Sequence, residues 1–346
     1  MLAAASATYL SEDVSYPNPS AKDVVLAGTL TKPPGAGPFP AVLMVTGSGP
    51  QDRDETILGH KPFRAIADSL STNGFAVLRV DDRGVGRSTG NWRTANTVDF
   101  MTDSVASVRY LQSRADIDPK RIGLLGHSEG AMIAAVLAAE MPDLAFTIML
   151  AAPAVRGNEL VEEQNFRIQT AMGWPSERAA AERALLHDIL DVIQREPDNE
   201  SALREIMRLA KSNGKSRPEL VALEAQLRDR MLSPWFRFFI AYDPQPFYRK
   251  LKTPLLALYG DIDMQVPAAQ NAPVLRLALQ AAGNRGASVR VMPGLNHLFQ
   301  HAKTGAPAEY ATLKEDIAPE VLGPICEWLE ATISASSDGT RILTAR

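Results

Sequence analysis

The sequence predicts an α/β fold in which a mostly parallel, doubly wound sheet is interrupted by an all-helical insertion. Between residues 23 and 153, short apolar runs alternate with stretches whose apolar residues recur at helical spacing. From 154 to 242 the sequence shows no convincing strand pattern, and the alternation resumes afterwards. Strands that alternate with helices favour a parallel sheet with helices on both faces.

The first part of the predicted core consists of strands and helices in turn. Four short, nearly continuous apolar runs are typical of buried strands, namely 40–46, 75–81, 121–126 and 145–151. Helical periodicity is present between them, in 62–72, 98–113 and 129–141. The earlier run 24–31 precedes a segment rich in proline and glycine, and it is interpreted as an antiparallel edge strand.

The insertion and the second part of the core follow. Three helices are predicted in the insertion, at 176–195, 200–212 and 218–232. Beyond it, the sequence predicts strands at 254–259 and 288–292 and helices at 267–282 and about 319–333. We therefore predict a core formed by residues 1–153 and 243–346, with a helical cap at 154–242.

Composition narrows the class of protein. The 346 residues include 36 basic and 40 acidic side chains without a basic stripe, so no nucleic-acid partner is expected. Apolar runs stay well below the roughly 18 residues that indicate a membrane span, so no membrane partner is expected. The single cysteine, Cys326, excludes an internal disulfide and a zinc site built on thiolates. The sequence leaves the compartment and the oligomeric state open.

Residues 126–130 read Gly-His-Ser-Glu-Gly and match the pattern G-x-S-x-G. A predicted strand ends at Gly126, and a predicted helix begins directly after Ser128. This strand–turn–helix context is that of a nucleophile elbow, in which a serine Oγ is exposed at a sharp turn. Ser128 is therefore the predicted nucleophile.

An activated serine needs a general base. His60 precedes the elbow, His187 lies in the insertion, and His127 is expected to point away from the nucleophile. His297 follows a predicted strand and can reach the edge of the sheet, so it is the predicted base. His301 lies four residues later, but no third ligand or H-E-x-x-H pattern accompanies the two, and no metal site is predicted.

The base in turn needs a group that orients it. The loop after strand 254–259 contains two candidates, Asp261 and Asp263. Asp263 is preferred because it fits a G-x-x-D-x-x-V-P turn that ends at the start of a helix.

The reaction also needs N–H donors where negative charge develops on the substrate. One predicted donor is the N–H of Glu129, which follows the nucleophile. The loop after strand 40–46 reads Gly-Ser-Gly-Pro, and its small residues let the backbone approach a substrate. We assign the second predicted donor to the N–H of Ser48.

With these residues, the chain resembles the α/β-hydrolase superfamily, and within it the bacterial carboxylesterase-type serine hydrolases. The resemblance is carried by segments 47–50, 52–55 and 82–88, the elbow, the Asp263 turn and Asn296-His297. It implies ester hydrolysis by Ser128, His297 and Asp263 without a cofactor, beneath a helical cap. The H-G-G-G motif of many lipases is absent from the sequence, which argues against long-chain lipase activity.

The predicted function is therefore that of a serine carboxylesterase acting on short- to medium-chain esters of small molecules. A peptidase or amidase and a thioesterase are alternatives on the same triad. A non-catalytic binding protein on a hydrolase scaffold is the alternative from another class. Asp82, Arg83, Arg53 and Asp54 are interpreted as structural, and aromatic residues of the insertion such as Trp235 as packing or as the wall of an acyl pocket.

Overall fold

The computed structural model describes residues 9–337, in which eight strands form one sheet. In chain order the strands are β1 (Leu10–Pro17), β2 (Val25–Lys32), β3 (Phe39–Val45), β4 (Ala76–Val80), β5 (Ile117–His127), β6 (Thr147–Leu150), β7 (Leu255–Gly260) and β8 (Ala287–Met292). Their order across the sheet is β1-β2-β4-β3-β5-β6-β7-β8. β2 runs antiparallel to β1 and β4, and the other neighbouring strands are parallel. The predicted fold class is confirmed.

The helices of the described residues alternate with these strands or lie between β6 and β7. In chain order they are α1 (Pro62–Thr72), α2 (Thr97–Gln112), α3 (Glu129–Glu140), α4 (Gly157–Ala171), α5 (Ser176–Arg195), α6 (Asn199–Ser212), α7 (Arg217–Gln226), α8 (Pro234–Ala241), α9 (Gln245–Tyr248), α10 (Ala268–Ala282) and α11 (Pro319–Ser337). A π-helical turn, Leu227–Met231, extends α7.

The core lies where the parallel strands meet the helices. Side chains such as Leu43 on β3, Leu124 on β5 and Leu256 on β7 are buried. Helix α3 is buried from Glu129 to Ala138. Its sequence is therefore apolar on every side rather than amphipathic, and it is held firmly behind the end of β5.

Residues 151–254 contain helices and turns but no strand. Helix α6 buries Leu203 and Ile206 on one face, as its apolar spacing predicts. Helix α4 was not predicted because it buries only Gly157, Leu160 and Val161 and so has little apolar periodicity. The division into a core and a cap at 154–242 stays a prediction.

The prediction of an edge strand at 24–31 is wrong in one respect. The observed strand, β2, is antiparallel to its neighbours, but β1 pairs along its outer side from Leu10 to Pro17. The sequence of β1 alternates polar and apolar residues, and most of its side chains are exposed or half-buried. An exposed strand of this kind lacks the apolar run by which the buried strands were recognised. Within residues 9–337, we find no helix with the length and apolar character that crossing a membrane requires.

Candidate active site

Ser128 lies at the sharp turn between β5 and α3. Its backbone has φ 54° and ψ −119°, in the left-handed half of φ space that non-glycine residues rarely occupy. The Ser128 N–H donates to the carbonyl oxygen of Leu150 in β6 at 2.8 Å, which anchors the turn to the sheet. This is the strained strand–turn–helix geometry that exposes a serine Oγ at the top of a parallel sheet.

Two glycines allow this turn to pack. A Cβ atom at Gly126 would overlap the carbonyl oxygen of Gly130. A Cβ atom at Gly130 would overlap the carbonyl oxygens of Val45 and Thr46, at the end of β3. Glycine at both positions therefore lets the start of α3 lie directly against β5 and β3.

His297 and Asp263 are joined by a buried hydrogen bond of 2.8 Å between Nδ1 and Oδ2. The other carboxylate oxygen of Asp263 accepts the N–H groups of Gln265 at 2.7 Å and Val266 at 2.9 Å. Burial raises the pKa of Asp263, but the charge and hydrogen bond of His297 and these two N–H donors outweigh it and lower the pKa. Asp263 is therefore held as a carboxylate, and the bond requires a proton on His297 Nδ1.

The competing aspartate, Asp261, takes another position. It is exposed, and its Oδ1 accepts the N–H of Gly294 at 2.6 Å. It therefore stabilises the start of the loop that carries His297 and does not bond to the histidine. Of the two candidates, the structure brings only Asp263 to the predicted base.

Ser128 is connected to the loop of His297 only indirectly among residues 9–337. Among residues 9–337, no hydrogen bond joins Ser128 Oγ to His297 Nε2. The link passes through His127, the residue before the serine, whose Nε2 lies 2.9 Å from the carbonyl oxygen of His297. In unliganded enzymes the serine–histidine bond is often long and tightens when substrate binds.

The loop after β3 lies beside the serine. A Cβ atom at Gly47 would lie 3.3 Å from Ser128 Cβ. The Gly47 N–H is occupied, because it donates to Glu55 Oε1 at 2.6 Å. Within the described residues the N–H of Ser48 has no backbone acceptor. The N–H of Glu129, at the start of α3, is one of those for which a helix offers no internal acceptor.

Asp82 holds both ends of this loop. Its Oδ1 accepts from Thr46 Oγ1 at 2.7 Å, and its Oδ2 accepts from the N–H of Gln51 at 2.9 Å. Burial raises the pKa of Asp82 well above its ordinary value. Its neighbour Arg83 turns the other way and donates from Nε to Asp103 at 2.7 Å. Both contacts agree with the structural interpretation of these residues.

The Glu129 side chain connects the start of α3 to α2 and α8. It is 3% exposed, and its carboxylate accepts from Thr97 Oγ1 at 2.6 Å. Trp235 Nε1, on α8, donates to both of its oxygens at 2.9 and 2.8 Å. Burial raises the pKa of Glu129 above its ordinary value, and the hydrogen bonds from Thr97, Trp235 and Ser48 offset only part of this rise. One carboxylate thus fastens three elements around the serine.

Arg53 and Asp54 take part in ion pairs below the loop. Arg53 donates to Asp81 from Nε at 3.0 Å and from Nη2 at 2.7 Å. Asp54 pairs with Arg79, and with Lys61 at 3.5 Å. These contacts hold the segment that leads to Glu55, in agreement with a structural role.

Of the histidines outside the centre, His60 is buried with its Nε2 2.8 Å from the carbonyl oxygen of Tyr310, whereas His187 and His301 are exposed and paired with carboxylates. His301 lies 2.9 Å from Glu315 and 2.6 Å from Glu320, and His187 lies 2.8 Å from Glu162. Within residues 9–337, no group of three or more His, Cys, Asp or Glu side chains could hold a metal ion.

Sequence reasoning missed two residues that lie at the centre of the site. Glu55 is 1% exposed, and its Oε1 lies 2.9 Å from His127 Nδ1. His127 was expected to point away from the nucleophile, and its ring is indeed directed towards Glu55 and the loop of His297. The partners are 72 positions apart, so no local spacing indicates the pair.

Comparison with known proteins identifies relatives among hydrolases. A family described as serine aminopeptidase, S33, matches residues 61–217. The esterase EstD of Thermotoga maritima is 30% identical over 305 residues, which are 88% of this chain and 65% of that protein. The chain therefore spans a little less than two thirds of the length of EstD. The putative hydrolase YtaP of Bacillus subtilis is 31% identical over 114 residues, covering 28% of this chain and 38% of YtaP.

Solved structures share the fold at low sequence identity. The esterase Pf2001 of Pyrococcus furiosus has a TM-score of 0.56 and 16% identity, over 93% of this chain and 91% of the esterase. The α/β hydrolase GrgF of a Penicillium species has a TM-score of 0.58 and 15% identity, over 94% and 99%. Together with the sheet order, these structural matches show that the chain has the α/β-hydrolase fold, and the sequence matches show that it is similar to hydrolases.

Proposed function

We propose that the chain is a serine carboxylesterase that hydrolyses short- to medium-chain esters of small molecules. The observation that carries the proposal is the buried His297–Asp263 pair beside a serine held in a strained elbow. A relative named as an esterase over most of this chain favours esters as the substrate class. A binding protein would not need a base whose tautomer is set by a buried carboxylate.

In the proposed mechanism, Ser128 Oγ attacks the ester carbonyl carbon while His297 Nε2 accepts the serine proton. Asp263 stabilises the imidazolium that forms. The N–H groups of Ser48 and Glu129 donate to the oxyanion of the tetrahedral intermediate. His297 then protonates the leaving alcohol, and a water molecule activated by the same histidine releases the acid from the acyl-enzyme. The chemistry requires no cofactor.

The preference for shorter acyl chains rests on the inserted helices, which we propose form a cap at 154–242. Trp235 of α8 is bonded to Glu129, the residue after the nucleophile. Its ring packs against that of Phe239, with centroids 5.4 Å apart. A cap anchored this close to the serine leaves a confined space for the acyl group.

The test is hydrolysis of p-nitrophenyl esters from acetate to palmitate by the wild type and by Ser128→Ala. We expect activity that is highest on the shorter chains and lost in the variant while the circular dichroism spectrum is unchanged. Labelling by a fluorophosphonate probe should occur in the wild type and not in the variant. Ester hydrolysis retained by a folded Ser128→Ala protein would contradict the assignment.

A peptidase is the second candidate, because the matching family is described as serine aminopeptidase, S33. The same triad can cleave an amide if the leaving amine is protonated by His297. Aminoacyl p-nitroanilides tested beside the esters distinguish the two. A larger kcat/KM on the anilides than on every ester would favour the peptidase.

A further inference from the structure

A second buried histidine–carboxylate pair lies beside the proposed triad. His127 is 4% exposed and Glu55 is 1% exposed. Nδ1 of His127 lies 2.9 Å from Glu55 Oε1, and Nε2 lies 2.9 Å from the carbonyl oxygen of His297. The rings of His127 and His297 are tilted by 49°, with their centroids 4.6 Å apart. The mechanism derived above uses neither His127 nor Glu55.

The two hydrogen bonds of the His127 ring favour its positively charged form. A carbonyl oxygen has no proton to donate, and an ionised carboxylate has none either. Both hydrogen bonds therefore require a proton on Nδ1 and another on Nε2, which is the imidazolium form. A neutral ring would require the shared proton to sit on Glu55 Oε1, the oxygen that already accepts the Gly47 N–H at 2.6 Å.

We propose that His127 is a positively charged positioning residue of the esterase. Through Glu55 it joins residues 47–50, the loop of the proposed donor Ser48 (the oxyanion loop), to the elbow. Through the carbonyl of His297 it joins the elbow to the loop of the base. Its charge also offsets the negative charge of Glu55 beside the ring of His297. This inference rests on the proposed function of Ser128 and His297.

Two charged groups act on His127, Glu55 after β3 and Asp263 after β7, and His297 after β8 contributes its backbone carbonyl. Burial lowers the pKa of His127, but the charge and hydrogen bond of Glu55, with smaller contributions from His297 and Asp263, raise it above its ordinary value. Burial, with a smaller contribution from the charge of Glu55, raises the pKa of Asp82, after β4. The small cavity beside the pair is otherwise lined by the apolar residues Pro62, Phe63, Ile66, Leu150, Leu298, Phe299 and Ile317.

Strained and closely packed backbone surrounds the Glu55–His127 pair. Glu55 has φ 51°, a left-handed conformation that is costly for a residue with a side chain. A Cβ atom at Gly47 would lie 2.9 Å from Glu55 Oε1 and 3.4 Å from His127 Nδ1. The oxyanion loop, the carboxylate and the histidine therefore converge within contact distance, where a small displacement of one moves the others.

The test is the pH profile of kcat/KM for His127→Gln, Glu55→Gln and the double variant. His127→Gln leaves the negative charge of Glu55 near His297, which favours protonation of the base. We expect its acidic limb to move to higher pH by about one unit. Glu55→Gln should not move the acidic limb to higher pH. In the double variant, the acidic limb should lie close to its wild-type pH.

A merely structural role would lower the height of the profile without moving its acidic limb in this pattern. The matched control is His187→Gln, which makes the same change in an exposed His–Glu pair bonded at 2.8 Å. An acidic limb of His127→Gln equal to that of the wild type, or a double variant displaced as far as His127→Gln, would overturn the inference. Failure of the proposed function is distinguishable, because it would show as turnover retained in Ser128→Ala.

A second measurement, of ¹⁵N chemical shifts by NMR, uses the wild-type protein and no activity assay. In wild-type protein labelled with ¹⁵N-histidine, both ring nitrogens of His127 should give the shifts of protonated nitrogens at pH 7. Single glutamine variants of the other four histidines assign the signals by elimination. A ring nitrogen of His127 without a proton at that pH would overturn the inference even if His127→Gln does not fold.

Discussion

Two histidine–carboxylate pairs lie side by side in the proposed active site, and they differ in one hydrogen bond. His297 lies 2.8 Å from Asp263, and His127 lies 2.9 Å from Glu55. All four side chains are buried. Nε2 of His127 is bonded to the carbonyl oxygen of His297, whereas Nε2 of His297 has no hydrogen-bond partner among residues 9–337.

The hydrogen bond at Nε2 distinguishes the two proposed roles, positioning residue for His127 and general base for His297. A carboxylate at one ring nitrogen sets the tautomer, and it does so in both pairs. Only a ring whose second nitrogen is free can accept a proton from a nucleophile. His127 has no such site and serves to hold the loops, so residue type and burial alone would not separate the two roles.

The largest expected effect is the difference in kcat between His297→Gln and His127→Gln. His297→Gln removes the proton acceptor, and we expect kcat to fall on the order of 10⁶-fold, as for loss of the base in other serine hydrolases. His127→Gln removes a positioning contact, and we expect a loss of roughly 10- to 100-fold, equivalent to about 1.4 to 2.7 kcal/mol. Initial rates on a p-nitrophenyl ester measure both, with His187→Gln as a control expected to match the wild type.

Equal losses in His297→Gln and His127→Gln, with both proteins folded, would contradict the division of roles. So would a wild-type rate in His297→Gln. Circular dichroism spectra and urea midpoints of each variant are needed to separate lost chemistry from lost structure.

Substitution of the two carboxylates should likewise lower kcat far more at Asp263 than at Glu55. Asp263→Asn replaces the acceptor of the Nδ1 proton by an amide that favours the wrong tautomer, and we expect kcat to fall by about 10⁴-fold. Glu55→Gln keeps an oxygen that can accept the Gly47 N–H, so its loss of kcat should be at least a hundred times smaller. A Glu55→Gln variant as inactive as Asp263→Asn would place Glu55 in the reaction itself.

The sequence reveals the parts of the fold and site that have local signatures. The buried strands are apolar runs, the elbow is five residues in a strand–turn–helix context, and Asp263 follows a strand within a recognisable turn. The Glu55–His127 pair has no such signature, because its partners lie 72 positions apart and meet only after β3 and β5 pair. The exposed strand β1 and the weakly apolar helix α4 were missed because they bury little surface.

A third buried carboxylate, that of Glu129, is held by neutral donors instead of a histidine. Trp235→Phe keeps the ring and removes the Nε1 donor, and we expect a stability loss of about 1.5–3 kcal/mol, as for a hydrogen bond to a charged group. Because the Glu129 N–H is a proposed oxyanion donor, kcat should fall by roughly tenfold, equivalent to about 1.4 kcal/mol. Urea unfolding and ester hydrolysis measure the two effects.

The control for this substitution is Trp174→Phe. Trp174 lies in the turn between α4 and α5, and the guanidinium carbon of Arg178 is 3.9 Å from its ring centroid. The same chemical change there should leave kcat unchanged. If Trp235→Phe and Trp174→Phe behave alike, the bond to the Glu129 side chain does not help to position the Glu129 N–H.

The smallest expected effect is a pH dependence of stability that belongs to His127. Burial lowers the pKa of its ring, but Glu55 and the other neighbours together raise it above the ordinary value of about 6.5. A raised histidine pKa means that the folded state binds the proton more tightly than the unfolded state. The resulting stabilisation is fully present below about pH 6.5 and is lost as the pH rises through the folded-state pKa.

Urea midpoints of wild type and His127→Gln between pH 6 and pH 9 measure this contribution. The stability difference between the two proteins should be largest at pH 6 and should shrink as the pH rises, by about 1.4 kcal/mol for each unit by which the pKa is raised. His187 and His301 also have raised pKa values, but they are present in both proteins and cancel in the difference. A difference that stays constant across this range would mean that folding does not favour the protonated His127 ring, so the second pair would carry no charge.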